Sequence, residues 1–294
     1  MHILVWEKLV AKRKFKRPNR SLSVDILLTL ILGLFGLFSA WPLILILNNA
    51  FKPLNEIFLF PPRLFVYSPT LNNFHDLSVI IQNSWIPFSR YAFNTVFITA
   101  VGMIGTVFLS SLAAFPLAKY KFPGSKVMSR LIVYSLMFNG TVTAIPNYII
   151  MSRLGLIDTY WAVVLPTMGA TLGLFLMKNF MVQIPTELLE SAKIDGANEF
   201  GIFLKVVMPL CKPAWITLII LSFQALWGIT GGTFIYSEEL KPVSYALSQI
   251  TGAGIARTGV ASAVALIMLI VPVSVFIISQ SNVIETMATS GIKG

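Results

Sequence analysis

The chain has 294 residues, of which 56% are hydrophobic and only 12% are charged, and its mean hydropathy is +0.79. This composition excludes an ordinary soluble domain and predicts one membrane domain with several spans. The balance of charge is basic, with 22 Lys and Arg against 12 Asp and Glu. Because the basic residues flank apolar segments, we attribute them to membrane topology and not to nucleic-acid binding.

The N-terminal residues 1–25 form a basic arm, and the apolar stretch 26–47 that follows is long enough to cross a membrane. This stretch is too long for the apolar core of a signal peptide, and no convincing small-residue cleavage site follows it. We therefore expect an uncleaved first span with a cytoplasmic N-terminus. The rest of the chain, 26–294, is expected to form a single transmembrane domain.

Six spans are predicted, which makes the chain an all-α polytopic membrane protein. They cover residues 26–47, 93–118, 131–151, 161–177, 214–232 and 258–280. Lys and Arg are concentrated in the loops on the side of the N-terminus, so both termini are expected to be cytoplasmic. None of the six spans contains Asp, Glu, Lys or Arg. This argues against an ion-coupled carrier, since such carriers place ionisable residues at membrane depth.

Three polar residues inside the spans are candidates for lining a pore. Asn139 and Asn147 lie in the third span, which Gly140 and Pro146 interrupt, and a broken helix is tolerated only where protein or a water-filled cavity satisfies its backbone. Hydrogen bonding between helices is an equal alternative for these two asparagines. Gln224 is the one strongly polar residue of the fifth span.

Small residues in two spans predict close contact between helices. The second span carries Gly102 and Gly105 among several serines and alanines, and the fourth carries a Gly169-x-x-x-Gly173 pair. Glycines spaced in this way in an apolar helix often mark a packing face.

No catalytic or metal site is predicted. The single cysteine, Cys211, cannot form a disulfide within the chain, and His2 and His75 lie too far apart for the spacing of metal ligands. The sequence contains no G-x-x-x-x-G-K-[ST] motif, so the chain is not expected to hydrolyse ATP. We expect a membrane protein that is not an enzyme and has neither a metal nor a cofactor of its own.

Residues 185–213, named the coupling segment below, form a long stretch that is neither a span nor a simple turn. Pro185 and Thr186 suit a helix start, and acids follow in the first turn, where they favour the helix dipole. Gly196 should end this helix with a sharp bend, because glycine adopts positive φ at little cost. Asp195 is expected to cap a second helix that runs towards Pro209.

The same segment resembles the EAA signature of ABC-importer permeases, which reads E-A-A-x3-G-x9-I-x-L-P. The matching residues are Glu190, Ser191, Ala192, Asp195, Gly196, Ala197, Val206, Met208 and Pro209. Ser191 replaces the second residue of the signature, and Val206 and Met208 replace its Ile and Leu. The resemblance implies the type I ABC importer permease fold and a coupling helix, 186–195, that sits in a cleft of a separate ATPase. The resemblance also implies that Glu190 makes a charged contact at this cleft and that Ala192 and Ala197 allow a close fit. Gly196 would form the bend.

A weaker resemblance narrows the family to permeases of the maltose and polysaccharide type. It rests on Phe51-Lys52-Pro53, Glu56-Ile57, Pro61-Pro62, Thr70-Leu71-Asn72-Asn73-Phe74 and the ending Gly291-Ile292-Lys293-Gly294. It implies a location in the bacterial cytoplasmic membrane, within the lipid bilayer, and a sugar substrate. The implied partners are a second homologous permease, two ATP-binding subunits that hold the ATP and Mg²⁺, and an external solute-binding protein that residues 228–257 contact.

Two other functions stay open on the sequence alone. The chain could be a stand-alone secondary carrier or channel for a small polar solute, in which case it would transport without ATP. It could also be a structural scaffold in the membrane, in which case changes in 186–197 would leave transport unaffected.

Overall fold

A computed structural model describes residues 22–61, 63–82, 85–138, 140–252, 254 and 257–290. Within these residues every regular element is a helix, so the all-α class is confirmed. Most of the predicted basic arm lies outside the described residues, as do Asn139 and the C-terminal residues 291–294.

The helices are numbered in chain order. They are α1 Leu22–Phe51, α2 Leu54–Ile57, α3 Asn72–Gln82, α4 Phe88–Lys119, α5 Ser125–Ser135, α6 Gly140–Arg153, α7 Tyr160–Met168, α8 Thr171–Val182, α9 Thr186–Ile194, α10 Glu199–Leu210, α11 Lys212–Trp227, α12 Val243–Gly252 and α13 Thr258–Ser290. One stretch of α10, Phe203–Val207, is π-helical.

Four helical stretches among the described residues are long and apolar enough to cross a membrane. They are Ser23–Phe51, Phe88–Lys119, Tyr160–Val182 and Thr258–Ile278. A fifth is obtained if α10 and α11, which meet at an angle of 80°, are counted as one broken span. The predicted third span is divided between α5, with 11 residues, and α6, with 14. Each is shorter than the about 20 residues that a straight span requires, so the structure does not reproduce six continuous spans.

Helix boundaries differ from the prediction where glycines and prolines act. The predicted fifth span ran to residue 232, but α11 ends at Trp227, where Gly228 follows as its cap. The stretch 228–257, for which no helix was predicted, contains α12. Helix α3 lies in the proline-rich stretch after α1, where no helix was predicted either.

Helix α4 is the central helix of the bundle, and it packs against α7, α8 and α11. The close approach depends on glycine. A Cβ atom at Gly102 would lie 2.8 Å from Cδ1 of Leu226, and one at Gly105 would lie 2.2 Å from Cε of Met168. The predicted role of these small residues is therefore present in the structure.

Only Gly173 of the predicted Gly169–Gly173 pair lies at a packing face. A Cβ atom at Gly173 would lie 2.6 Å from Oγ of Ser110 on α4, so this glycine permits a close crossing. Gly169 instead caps the end of α7, and its Cβ would meet only the carbonyl of Pro166, at an ordinary 3.6 Å. The break between α7 and α8 removes the helical register that the pair would need.

Three of the motif residues that follow α1, namely Lys52, Glu56 and Asn73, are buried and hold the loop after that helix. The Nδ2 atom of Asn73 donates to the carbonyls of Ala50 and Lys52, at 2.9 and 2.8 Å, and so caps the end of α1. The carboxylate of Glu56 accepts from the backbone amide of Tyr67, at 2.8 Å. The ammonium of Lys52 donates to the carbonyl of Arg63, at 2.5 Å. These polar groups are satisfied internally, which explains why a loop can bury them.

Candidate coupling site

The coupling segment begins with helix α9, which spans Thr186–Ile194. Pro185 precedes it with extended backbone angles and makes no side-chain capping bond. Glu187 occupies the first turn and Lys193 the last, so both charges complement the helix dipole. The predicted start of the helix is therefore present, although no side chain caps it.

The predicted bend at Gly196 is present, but the capping residues differ from the prediction. Gly196 has a φ of +81° and follows Asp195, which closes α9. The amide of Ala197 then donates to the carbonyl of Ala192, at 3.0 Å. Asp195 was expected to cap the second helix, and that expectation is wrong. Asn198 directly precedes α10 and accepts from the amide of Gly201, at 2.7 Å.

One face of the coupling segment belongs to a hydrophobic core at the end of the bundle. This core unites buried residues of α9 and α10 with others from α4, α8 and α11. Its members include Ala114, Phe115, Met177, Met181, Leu189, Ile202, Phe203, Val207, Ala214 and Leu218. The half-buried Ala192 and Ala197 pack against it. The segment is thus part of the folded bundle and not a free loop.

The opposite face of α9 is exposed and mixes acidic with apolar side chains. Glu190, Ser191 and Asp195 are all exposed, as the EAA resemblance requires of residues that meet a partner. Ile194 is 87% exposed, and Leu188 is 43% exposed. Sequence reasoning did not single out Ile194. Exposed large apolar side chains that cluster in this way mark contact surfaces.

An ion pair connects the two sides of the bend. The ammonium of Lys193 lies 2.7 Å from the carboxylate of Glu199, which also accepts a hydrogen bond from the hydroxyl of Tyr120. The pKa of the Glu199 carboxyl is lowered, chiefly by Lys193 and then by Tyr120. The pKa of Lys193 is raised, chiefly by Glu199. Since both side chains are about half exposed, the pair fixes geometry more than it adds stability.

A second polar site lies at the other end of α4, in the loop 234–243. Asp158 has a φ of +63°, and its carboxylate accepts from the amides of Tyr236 and Ser237, at 2.9 and 2.8 Å. The hydroxyl of Ser237 also donates to it. These bonds, first those from Ser237, lower the pKa of Asp158. The loop is therefore held in one conformation on the short turn before α7.

Two of the three candidate pore residues lie in the part of the chain that the structure describes. Asn147 is half-buried on α6, and Gln224 is exposed on α11. Asn139 lies outside the described residues. A role in lining a pore stays a prediction for all three.

More than half of the sequence matches a known protein family. Residues 106–287 match the family described as the binding-protein-dependent transport system inner membrane component, and this stretch contains the whole coupling segment. The chain belongs to this family. As a member, it is a membrane-spanning permease component, which agrees with the apolar helices of the bundle.

Relatives of this permease component carry names from carbohydrate transport. It is 32% identical to the polygalacturonan/rhamnogalacturonan transport system permease protein YtcP of Bacillus subtilis, over 77% of each chain. It is 26% identical to the arabinooligosaccharides transport system permease protein AraQ of the same bacterium, over 92% of this chain and 96% of that one.

A solved structure shares the fold of the permease component. It is the crystal structure of a bacterial ABC transporter involved in the import of the acidic polysaccharide alginate. The TM-score is 0.77 at 23% identity, and the match covers 90% of this chain and 99% of the other. The type I ABC importer permease fold is therefore confirmed.

Proposed function

We propose that this permease component imports an oligosaccharide, delivered by an external binding protein, and that a separate ATPase drives the import. The observation that carries the proposal is the two-sided coupling segment. Its buried face is built into the bundle core, and its exposed face presents Glu190, Ile194 and Asp195 to a partner. A segment of this kind can take up force from a partner without unfolding.

In this mechanism the chain supplies the membrane path and the docking surface, and ATP and Mg²⁺ are held by two ATP-binding subunits. ATP binding draws those subunits together, and α9 moves with them as a rigid lever. Because α9 shares a core with α4, α8 and α11, the spans follow and switch from inward-open to outward-open. The bundle itself has two stable packings. Binding of the ATPase subunits and of the external binding protein shifts the balance between these packings.

The path across the membrane is completed by a second, homologous permease in this proposal. The most apolar stretch of α1 is wholly unburied within the chain. Its surface is therefore available for contact with a neighbouring subunit or with lipid. The N- and C-termini lie in the cytoplasm, so that the coupling segment faces the ATPase. This orientation follows the excess of Lys and Arg in the loops on the same side.

Two observations support a sugar as the substrate. They are the names of the relatives and the absence of Asp, Glu, Lys and Arg from the predicted spans. Names such as polygalacturonan/rhamnogalacturonan and arabinooligosaccharides transport point to fragments of polysaccharides. The family favours an importer over a stand-alone carrier or channel.

Uptake by reconstituted vesicles tests the proposal. The complex is placed in liposomes with ATP on the side of the ATPase, the binding protein is added on the opposite side, and labelled oligogalacturonides and arabino-oligosaccharides are offered. We expect uptake of at least one sugar class that requires both ATP and the binding protein. Uptake by the purified chain alone, without ATP, would instead establish the carrier.

A further inference from the structure

The end of α4 nearest the coupling segment is attached to it by polar and aromatic contacts. The ammonium of Lys119 donates to the carbonyl of Ile184, just before α9, and the hydroxyl of Tyr120 donates to Glu199, just after the bend. Phe115 packs edge-on against Tyr120 and at an interplanar angle of 45° against Phe203, in both cases with ring centroids 5.6 Å apart. Contacts from the end of α4 and from Tyr120, the residue that follows it, therefore lie on both sides of Gly196.

The other end of α4 is attached to the loop 234–243 in a similar way. Asn94 is fully buried, and its amide donates to the carbonyls of Glu239 and Lys241, both at 2.8 Å. Two residues further along the chain, the amide of Val243 donates to the hydroxyl oxygen of Thr95, also at 2.8 Å. The loop therefore cannot shift relative to α4 without breaking buried hydrogen bonds.

Between these ends α4 is a continuous helix of 32 residues, about 48 Å long. Pro116 lies inside it, but the ladder resumes beyond the proline, since the amide of Tyr120 donates to the carbonyl of Pro116 at 3.0 Å. We propose that α4 transmits nucleotide-driven movement of the coupling segment to the loop 234–243, and that Tyr120, Glu199 and Asn94 act as positioning residues. This inference rests on the proposed function.

Hydrogen exchange of the assembled complex, followed by mass spectrometry, tests the inference without knowledge of the solute. Exchange is compared with and without a non-hydrolysable ATP analogue in the wild type and in the double variant Tyr120→Phe/Glu199→Gln. This variant keeps the aromatic packing of residue 120 and removes the polar contact. Tyr134→Phe is the matched control, because Tyr134 is an exposed residue of α5 outside the coupling segment.

In the wild type and the control, we expect the nucleotide to change exchange both in 186–202 and in 234–243. In the double variant, 186–202 should still respond, whereas 234–243 should lose most of its response. Exchange around residue 199 should also rise roughly fivefold, as expected for the loss of one net hydrogen bond. A merely structural role would lower both responses together.

Two results would overturn the inference. One is a wild-type complex in which 186–202 responds and 234–243 does not, and the other is a double variant in which both respond as in the wild type. If 186–202 of the wild type does not respond to nucleotide at all, the proposed function fails and not only this inference. Should the double variant fail to assemble, Tyr120→Phe alone, which removes one hydroxyl, is compared in the same way.

Discussion

At the scale of single residues, Gly196 is the position where backbone conformation matters most for the coupling segment. Its φ of +81° is costly for any residue with a Cβ atom, although a Cβ there would meet no atom within 4 Å. A substitution therefore acts through the backbone alone. The left-handed conformation costs a non-glycine residue about 1–2 kcal/mol, which is enough to shift the bend.

We expect Gly196→Val to insert into the membrane normally but to lose most ATP-driven uptake, because α9 no longer leaves the bundle at the right angle. Gly124→Val is the matched control, since Gly124 has a φ of +90° and equally open surroundings but lies outside the coupling segment. Uptake and the amount of inserted protein are measured together for both variants. Normal uptake by Gly196→Val would contradict the role assigned to the bend.

Asn73 is a second residue whose role is local and testable. Asn73→Ala should lower the free energy of unfolding by about 1–3 kcal/mol, because buried carbonyls at the end of α1 lose their donor. The neighbouring Asn72 is exposed, and Asn72→Ala should change stability little. Thermal unfolding in detergent compares the two, and equal midpoints would argue against the cap.

At the scale of elements, the crossing of α8 over α4 depends on Gly173. Gly173→Ala should destabilise the bundle by about 1–3 kcal/mol, since the new methyl group would overlap Ser110 and Leu218. Gly169→Ala adds the same group where only an ordinary 3.6 Å contact awaits it, so it should be tolerated. Yield and thermal stability of the two variants decide this, and an equal loss in both would refute the specific crossing.

Elements that depend on local sequence could be predicted, and those that depend on packing could not. Apolar length placed α1, α4 and α13, and motif spacing located α9 and its bend. The N-cap of α10 was misassigned to Asp195, since Asn198 offers the same chemistry three residues closer to the helix. The exposure of Ile194 was not predicted, although Ile194 comes five residues after the buried Leu189 and therefore lies on another face of α9.

The contacts that α4 makes at both ends of the bundle could not be predicted from the sequence either. Tyr120 and Glu199 are distant in the chain, and nothing in their local patterns links them. The same holds for Asn94 and the carbonyls of the loop 234–243. Such contacts arise only once the helices are packed, so a motif search finds the docking surface and misses the element that connects it to the rest of the molecule.

At the scale of the whole molecule, the central claim is that the exposed face of α9 docks on an ATPase. Ile194 tests it most directly, because an apolar side chain that is 87% exposed contributes little to the stability of the fold, so its replacement acts mainly on the contact with a partner. Leu71 offers a matched control, since it is 67% exposed in the loop that precedes α3, outside the coupling segment.

The decisive measurement is the amount of ATPase subunit that co-purifies with the tagged chain in mild detergent. We predict that the wild type and Leu71→Asp retain the ATPase, whereas Ile194→Asp loses most of it, because about 1.4 kcal/mol of lost binding already lowers affinity tenfold. Full retention of the ATPase by Ile194→Asp would contradict docking through this face.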